Sequence, residues 1–254
     1  MQPLSVVIIT LNEAERIERC IQSVQGLSDD IVVVDSGSTD NTIALAEKAG
    51  ARVVQQSWLG FGAQKKFATA QARHNWVLAL DADEWLSDDL RQAISNALQN
   101  PDADAWEMPR RNLFLGRWLK HGEGYPDYSL RLYNRNKANW REDPVHEAVH
   151  CAGKVGRLKG DLMHQSADTL QQYLNKHNRY TSLQAEQLFA NGGRFSLLKL
   201  LFSPLVRFVK FYVFRLGFLD GTAGFIHIAA GCWTVFVKQA KLLELQQGSA
   251  TNKN

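Results

Sequence analysis

Trp76-Val-Leu-Ala-Leu-Asp81-Ala-Asp83-Glu84 is an apolar run that stops abruptly at a cluster of carboxylates. Such a run suits a strand buried on both faces, as in a parallel sheet covered by helices. In extended backbone, residues two apart point to one side, so Asp81 and Asp83 converge where the strand leaves the core. Two carboxylates that close repel each other and favour a cation beside them. A hard divalent ion such as Mg2+ or Mn2+, held by few protein oxygens and by substrate phosphates, meets that need. The rival explanation, that these acids only cap the next helix, is weakened because Ser87, with Asp88 and Asp89 after it, already supplies that cap.

The same pattern repeats upstream. Ser5 to Thr10 is an apolar, β-branched run that leads through Leu11-Asn12-Glu13 to Ile17, Cys20, Ile21 and Val24 at helical spacing. Ile31 to Val34 reads as a second buried strand, and Asp35-Ser-Gly-Ser-Thr-Asp-Asn-Thr42 supplies turn and cap residues before an alanine-rich helix ending near Gly50. Val53-Val54 is a third, shorter strand, and a loop with Trp58, Gly60 and Gly62 precedes a helix through Ala72. This β-α-β-α-β-α-β order predicts an α/β fold whose ligands bind beyond the carboxyl ends of the strands. Asn12-Glu13, Asp35 and Asp81/Asp83 fall at those ends. Neither G-x-G-x-x-G nor G-x-x-x-x-G-K-[ST] occurs, which argues against dinucleotide and P-loop chemistry.

With 254 residues, 45% hydrophobic and 22% charged, the chain can bury a sizeable core. Its net charge of +3 is too slight to imply a nucleic-acid partner. Residues 191–254, however, hold eight basic side chains against two acidic ones, a local +6. Cys20, Cys151 and Cys232 are odd in number and widely spaced, which disfavours a disulfide framework or zinc knuckle and fits a reducing compartment. The Val6–Leu11 run has no basic segment before it and fails as a secretory signal. No charge-free run reaches the roughly 20 apolar residues of a spanning helix.

Taken together, Ser5–Glu13, Ile31–Asp40 and Leu80–Glu84 resemble the family 2 inverting glycosyltransferases of the GT-A fold. The nearest group is the bacterial lipopolysaccharide core β-glucosyltransferases, and the resemblance continues through Tyr125–Tyr133, Pro144–Glu147 and Gly217–Gly221. It implies that Thr10, Asn12 and Glu13 lie near the nucleotide, that Asp35 contacts base or ribose, and that Asp83 is the main metal-binding acid with Asp81 beside it. Lys65 would add positive charge at the diphosphate. Arg131 would bind phosphate or pair with an acid, and His146 would complete the metal site or serve as a structural histidine. Inversion by single displacement needs a general base. Glu147, where relatives carry the acid of a Glu-Asp motif, is preferred to Asp127, which lies upstream in a loop with Gly122, Gly124 and Pro126 that suits a mobile acceptor site. The implied reaction moves glucose from UDP-glucose to an inner-core heptose, on the cytoplasmic face of the bacterial inner membrane. A polyprenyl-phosphate sugar synthase and a non-catalytic sugar-nucleotide-binding membrane protein are the alternatives.

His146-Glu-Ala-Val-His150 also matches H-E-x-x-H, a zinc-protease pattern that needs both histidines on one helix face. Pro144, Val145, Val149, Gly153 and Val155 read instead as strand or irregular chain, which sets that reading aside. Farther on, Asp168 is the expected N-cap of a helix that carries Leu170, Tyr173, Leu174, His177, Tyr180 and Leu183, ends at Gly192-Gly193 and packs on the catalytic domain, and Ser203-Pro204 is an expected helix start. Arg207, Lys210 and Arg215 beside Phe208, Phe211, Tyr212, Val213 and Phe214 suit a peripheral membrane surface; an oligomer interface or a buried helix is the alternative. The expected division is a GT-A catalytic domain over 1–195 and a basic, aromatic, helical region over 196–254 that associates with the membrane, near a lipid-linked saccharide acceptor.

Overall fold

A computed structural model of the chain describes residues 1–141, 148–165 and 169–251. It divides into two units, Met1–Arg110 with Asp127–His164, and Arg111–Pro126 with Gln165–Asn254. The first half runs β1 (Leu4–Thr10), α1 (Ile17–Val24), β2 (Asp30–Asp35), α2 (Thr42–Lys48), β3 (Arg52–Gln55), α3 (Phe61–Ala70), β4 (Trp76–Asp81), β5 (Glu84–Leu86) and α4 (Asp88–Gln99). There follow β6 (Ala105–Phe114), β7 (Arg117–Trp118), β8 (Asp127–Asn134), β9 (Ala138–Trp140), β10 (Val149–Cys151), β11 (Val155–Arg157) and β12 (Leu162–His164). The helices α5 (Leu170–Ala190), α6 (Leu197–Phe208) and α7 (Gly221–Thr251) complete the chain.

In the first unit β1 lies between β2 and β4, both parallel to it, and β3 adds outside β2. The apolar runs of the sequence form this half. Alternate residues of β1 feed two cores: Val6 and Ile8 pack with Ile17, Ile21, Leu78 and Leu90, while Val7 and Ile9 pack with Val34, Ala68, Val77 and Tyr133. Each fully buried aliphatic side chain contributes about 1.5–3 kcal/mol, so the strand register is strongly fixed by this two-sided burial. Beyond β4 the sheet becomes mixed, in the order β4-β8-β6-β12-β5, with β8 antiparallel to both β4 and β6. The pairing of β12 with β5 sets His164 opposite Glu84. Ser87 caps α4 as expected, its Oγ accepting from Leu90 N at 3.3 Å, and it also accepts from Asp161 N at 3.0 Å just ahead of β12.

In the second unit α5 starts with a capping box of Thr169 and Gln172, whereas the expected cap, Asp168, lies outside the described residues. This helix packs on α7, where Lys241 Nζ donates to Asn178 O at 2.8 Å, Thr181 Oγ1 at 2.9 Å and Ser182 Oγ at 2.7 Å. Those contacts group α5 with the C-terminal helices, so this unit takes in residues from Gln165 onward as well as 111–126. The helix start expected at Ser203-Pro204 is corrected: α6 is capped by Ser196 and runs through Pro204. A proline inside a helix removes one backbone donor and crowds the carbonyl four residues back. The chain continues as a π-helical segment, Val209–Phe214, and turns at Leu216 with φ 56°. The Gly217-Phe-Leu-Asp-Gly221 string is structural: buried Asp220 accepts from Lys120 N at 2.9 Å and His121 N at 2.8 Å. Among the described residues no helix is long and apolar enough to cross a membrane.

Candidate active site

The loops after β1 and β2 are laced together. Asp35, fully buried, accepts from Gly37 N at 2.9 Å and from Ser38 N at 2.8 Å on Oδ1, and from the Ser38 hydroxyl on Oδ2. Ser38 Oγ in turn accepts from Asn12 N at 2.8 Å, and Asn12 Oδ1 accepts from Thr39 N at 2.8 Å. Glu13 N donates to Thr42 Oγ1 at 2.8 Å, while its carboxylate pairs with Arg16 at 2.7 Å. Asn12 takes a left-handed φ of 55°, a conformation that asparagine tolerates better than most residues. Asp35 thus organises a turn at the expected edge and does not present an open carboxylate. Thr10 ends β1, buried, and its Oγ1 has no hydrogen-bond partner among the described residues.

At the end of β4 the charges interlock. Asp81 is gripped by Lys65, with Nζ at 2.8 Å from Oδ1, and by Arg131, with Nη2 at 2.9 Å from Oδ2. The same Arg131 nitrogen donates to Glu84 Oε1 at 2.7 Å, and Asp81 N donates to Glu84 Oε2 at 3.0 Å. Burial opposes ionisation of Asp81, but the Lys65 and Arg131 charges outweigh it and hold the carboxyl well below the usual carboxylate range. Burial likewise opposes the Arg131 charge, and Glu84 with Asp81 more than restores it. Arg131 is 4% exposed and Glu84 0% exposed, so neither can turn to water for a partner. Arg131→Met is therefore expected to cost about 3–5 kcal/mol of unfolding free energy in urea titrations, because the fully buried Glu84 loses its nearest cation and Asp81 is left with Lys65 alone. A loss within about 0.5 kcal/mol, as for an ordinary surface position, would count against the interlock.

Asp83 sits at the edge of that grip, its charge adding to those that favour the charged form of Arg131. Its Oδ2 lies 3.4 Å from Nε2 of His164, on β12, and both side chains are largely buried. A carboxylate oxygen and an imidazole nitrogen converging on one point fit two ligands of a divalent cation, with the remaining positions left to phosphate and water. Among the described residues no group of three or more His, Cys, Asp or Glu forms a complete cage. His146 and Glu147 lie outside the described residues. Asp127, the first residue of β8, has Oδ2 held by Arg110 Nε at 2.9 Å and Nη2 at 2.6 Å, and Arg110 Nη1 reaches Glu84 at 3.5 Å. His150 lies on β10, a strand, and its Nδ1 is 3.1 Å from Arg141 Nη2, so the helical frame of a zinc protease is not built there.

The structure thus joins Lys65, Asp81, Arg131 and Asp127 into one network and brings Asp83 to its edge. Three members have no counterpart among the residues singled out from sequence: Glu84, Arg110 and His164. The only local hint for Glu84 was its place directly after Asp83. His164, in Leu-Met-His, carried no signal until β12 paired with β5.

Comparison with known proteins agrees with this architecture. The model of the family described as Glycosyl transferase family 2 matches residues 5–157. LpsC of Rhizobium meliloti, a lipopolysaccharide core biosynthesis glycosyltransferase, is 34% identical over 251 residues, spanning 95% of this chain and 92% of that one. An uncharacterized glycosyltransferase of Rickettsia typhi is 34% identical over 257 residues, spanning 96% and 88%. Among solved structures, S. aureus TarS 1-349 superposes with a TM-score of 0.51 at 18% identity, covering 97% of this chain and 92% of that one, a likeness of fold.

Proposed function

Because the chain belongs to glycosyl transferase family 2, we propose that it transfers glucose from UDP-glucose, with inversion, to a heptose of a lipid-linked lipopolysaccharide inner core. The observation that carries this reading is the likeness, across nearly the whole chain, to a relative named for lipopolysaccharide core biosynthesis. The site chemistry supports it. Breaking the bond from the anomeric carbon to a diphosphate builds negative charge on the leaving group, which fixed positive charge must meet. In this reading the Thr10 hydroxyl, without a partner among the described residues, is offered to the nucleoside, and the Asp35 turn shapes the floor beneath it. Asp81 keeps Lys65 and Arg131 in fixed positions, charged and pre-oriented, at the carboxyl end of β4.

The reading includes Mg2+ or Mn2+, for which Asp83 and His164 would be ligands. When bound, such an ion neutralises charge on the departing diphosphate. Asp81, expected from sequence as a second ligand, serves here by anchoring the two cations instead. Glu147 takes the proton from the acceptor hydroxyl.

The test uses purified full chain, Mn2+, a panel of nucleotide sugars, and either heptose-terminated core oligosaccharide or polyprenyl phosphate, with nucleotide release as readout. Release from UDP-glucose with the oligosaccharide is the expected result. Transfer to polyprenyl phosphate alone would replace the acceptor, and no release with any pair would leave only a binding protein.

A further inference from the structure

We propose that α6 and the π-helical segment after it lie flat on an anionic lipid bilayer, with their outer face among the acyl chains. Leu198, Leu201, Phe202, Leu205 and Val206 recur at helical spacing and are 69%, 52%, 55%, 62% and 65% exposed. Phe214, 77% exposed, follows along the π-helical segment. Leu200, Pro204, Arg207 and Phe211 point the other way and are half-buried, α6 packing on α7 and Arg207 pairing with Glu123. The inner face is therefore satisfied and the outer one is not. Isolated exposed apolar residues need no explanation, but a continuous row of large ones does.

Charge identifies what covers the row. Arg194, Lys199 and Lys210 are exposed along the same stretch, and residues 191–219 contain no acid. The next acid, Asp220, is buried against the 120–121 backbone. A second copy docked face to face would set cations against cations with no carboxylate from the same stretch of chain to meet them. An anionic bilayer supplies the opposite sign at the headgroups and an apolar layer about 5–10 Å beneath, the depth at which an interfacial helix rests. Since none of the described helices can cross a bilayer, the contact is interfacial. This surface would bring the chain to a lipid-linked acceptor, but its membrane affinity does not rest on the reaction proposed above.

The experiment is sedimentation of the full chain with vesicles of phosphatidylcholine alone or mixed with phosphatidylglycerol, neither containing saccharide. The wild type should pellet with the mixed vesicles and remain largely in solution with the neutral ones. Lys199→Glu with Lys210→Glu should weaken binding to mixed vesicles by about tenfold or more. Leu205→Ser with Phe214→Ser should weaken it at least as much, because two large apolar side chains no longer enter the acyl layer. Both variants should keep the wild-type melting temperature and the transfer rate to water-soluble oligosaccharide. If the wild type ignores both vesicle types, or all three proteins pellet equally, the proposal falls. It also falls if light scattering shows a dimer that Leu205→Ser dissociates while vesicle binding persists. Vesicle binding without any sugar transfer would uphold this surface and remove the reaction instead.

Discussion

Asp83→Asn should lower turnover by a factor on the order of 10³, the loss expected when one fixed electrostatic contact to the transition state is removed. The exchange is isosteric and deletes only charge. Asp83 lies 3.4 Å from His164, at the edge of the Lys65–Asp81–Arg131 grip rather than at its centre, so the melting temperature should fall less than in Asp81→Asn. Asp81→Asn is the instructive contrast. It removes the shared anchor of Lys65 and Arg131, so its cost should appear in stability as well as in rate. Nucleotide release under saturating UDP-glucose and excess Mn2+, together with Mn2+ binding by calorimetry, separates the two carboxylates. Unchanged turnover and unchanged Mn2+ affinity in Asp83→Asn would refute the metal role assigned to it.

The parallel half of the sheet was legible because its strands are buried on both faces and read as unbroken apolar runs. Ser5 to Thr10, Ile31 to Val34 and Trp76 to Leu80 fall inside β1, β2 and β4. The antiparallel half was not. β8 starts with exposed and half-buried residues, and β5 and β12 are three residues each, too short for a periodicity to register. Their place is fixed by long-range pairing, which also makes the site: β12 brings His164 beside Glu84, and β8 brings Arg131 to Asp81. The carboxylate cluster could be located from sequence, but not the division of labour within it. Which acid meets cations and which meets a histidine depends on partners 16 to 81 residues distant in sequence. Pro204 shows the opposite failure, a strong local signal overridden by tertiary packing of α6 against α7.

The second large effect concerns the proton. Glu147→Gln should reduce turnover by about 10²–10⁴, the usual contribution of a positioned base, with affinity for UDP-glucose retained. The rival, Asp127, is already engaged on one oxygen: Arg110 Nε and Nη2 share its Oδ2, at 2.9 and 2.6 Å, and Arg110 Nη1 faces buried Glu84. Both contacts fall on Oδ2, so Asp127 could take a proton only through Oδ1, with the Arg110 guanidinium still seated on its other oxygen. Asp127→Asn should therefore act through the freed Arg110, with a change in turnover far smaller than that of Glu147→Gln and some loss of stability. Single-turnover measurements with pre-bound UDP-glucose read the proton-transfer step without product release. If Asp127→Asn abolishes that step while Glu147→Gln leaves it intact, the base is Asp127, acting through the Oδ1 that Arg110 does not hold.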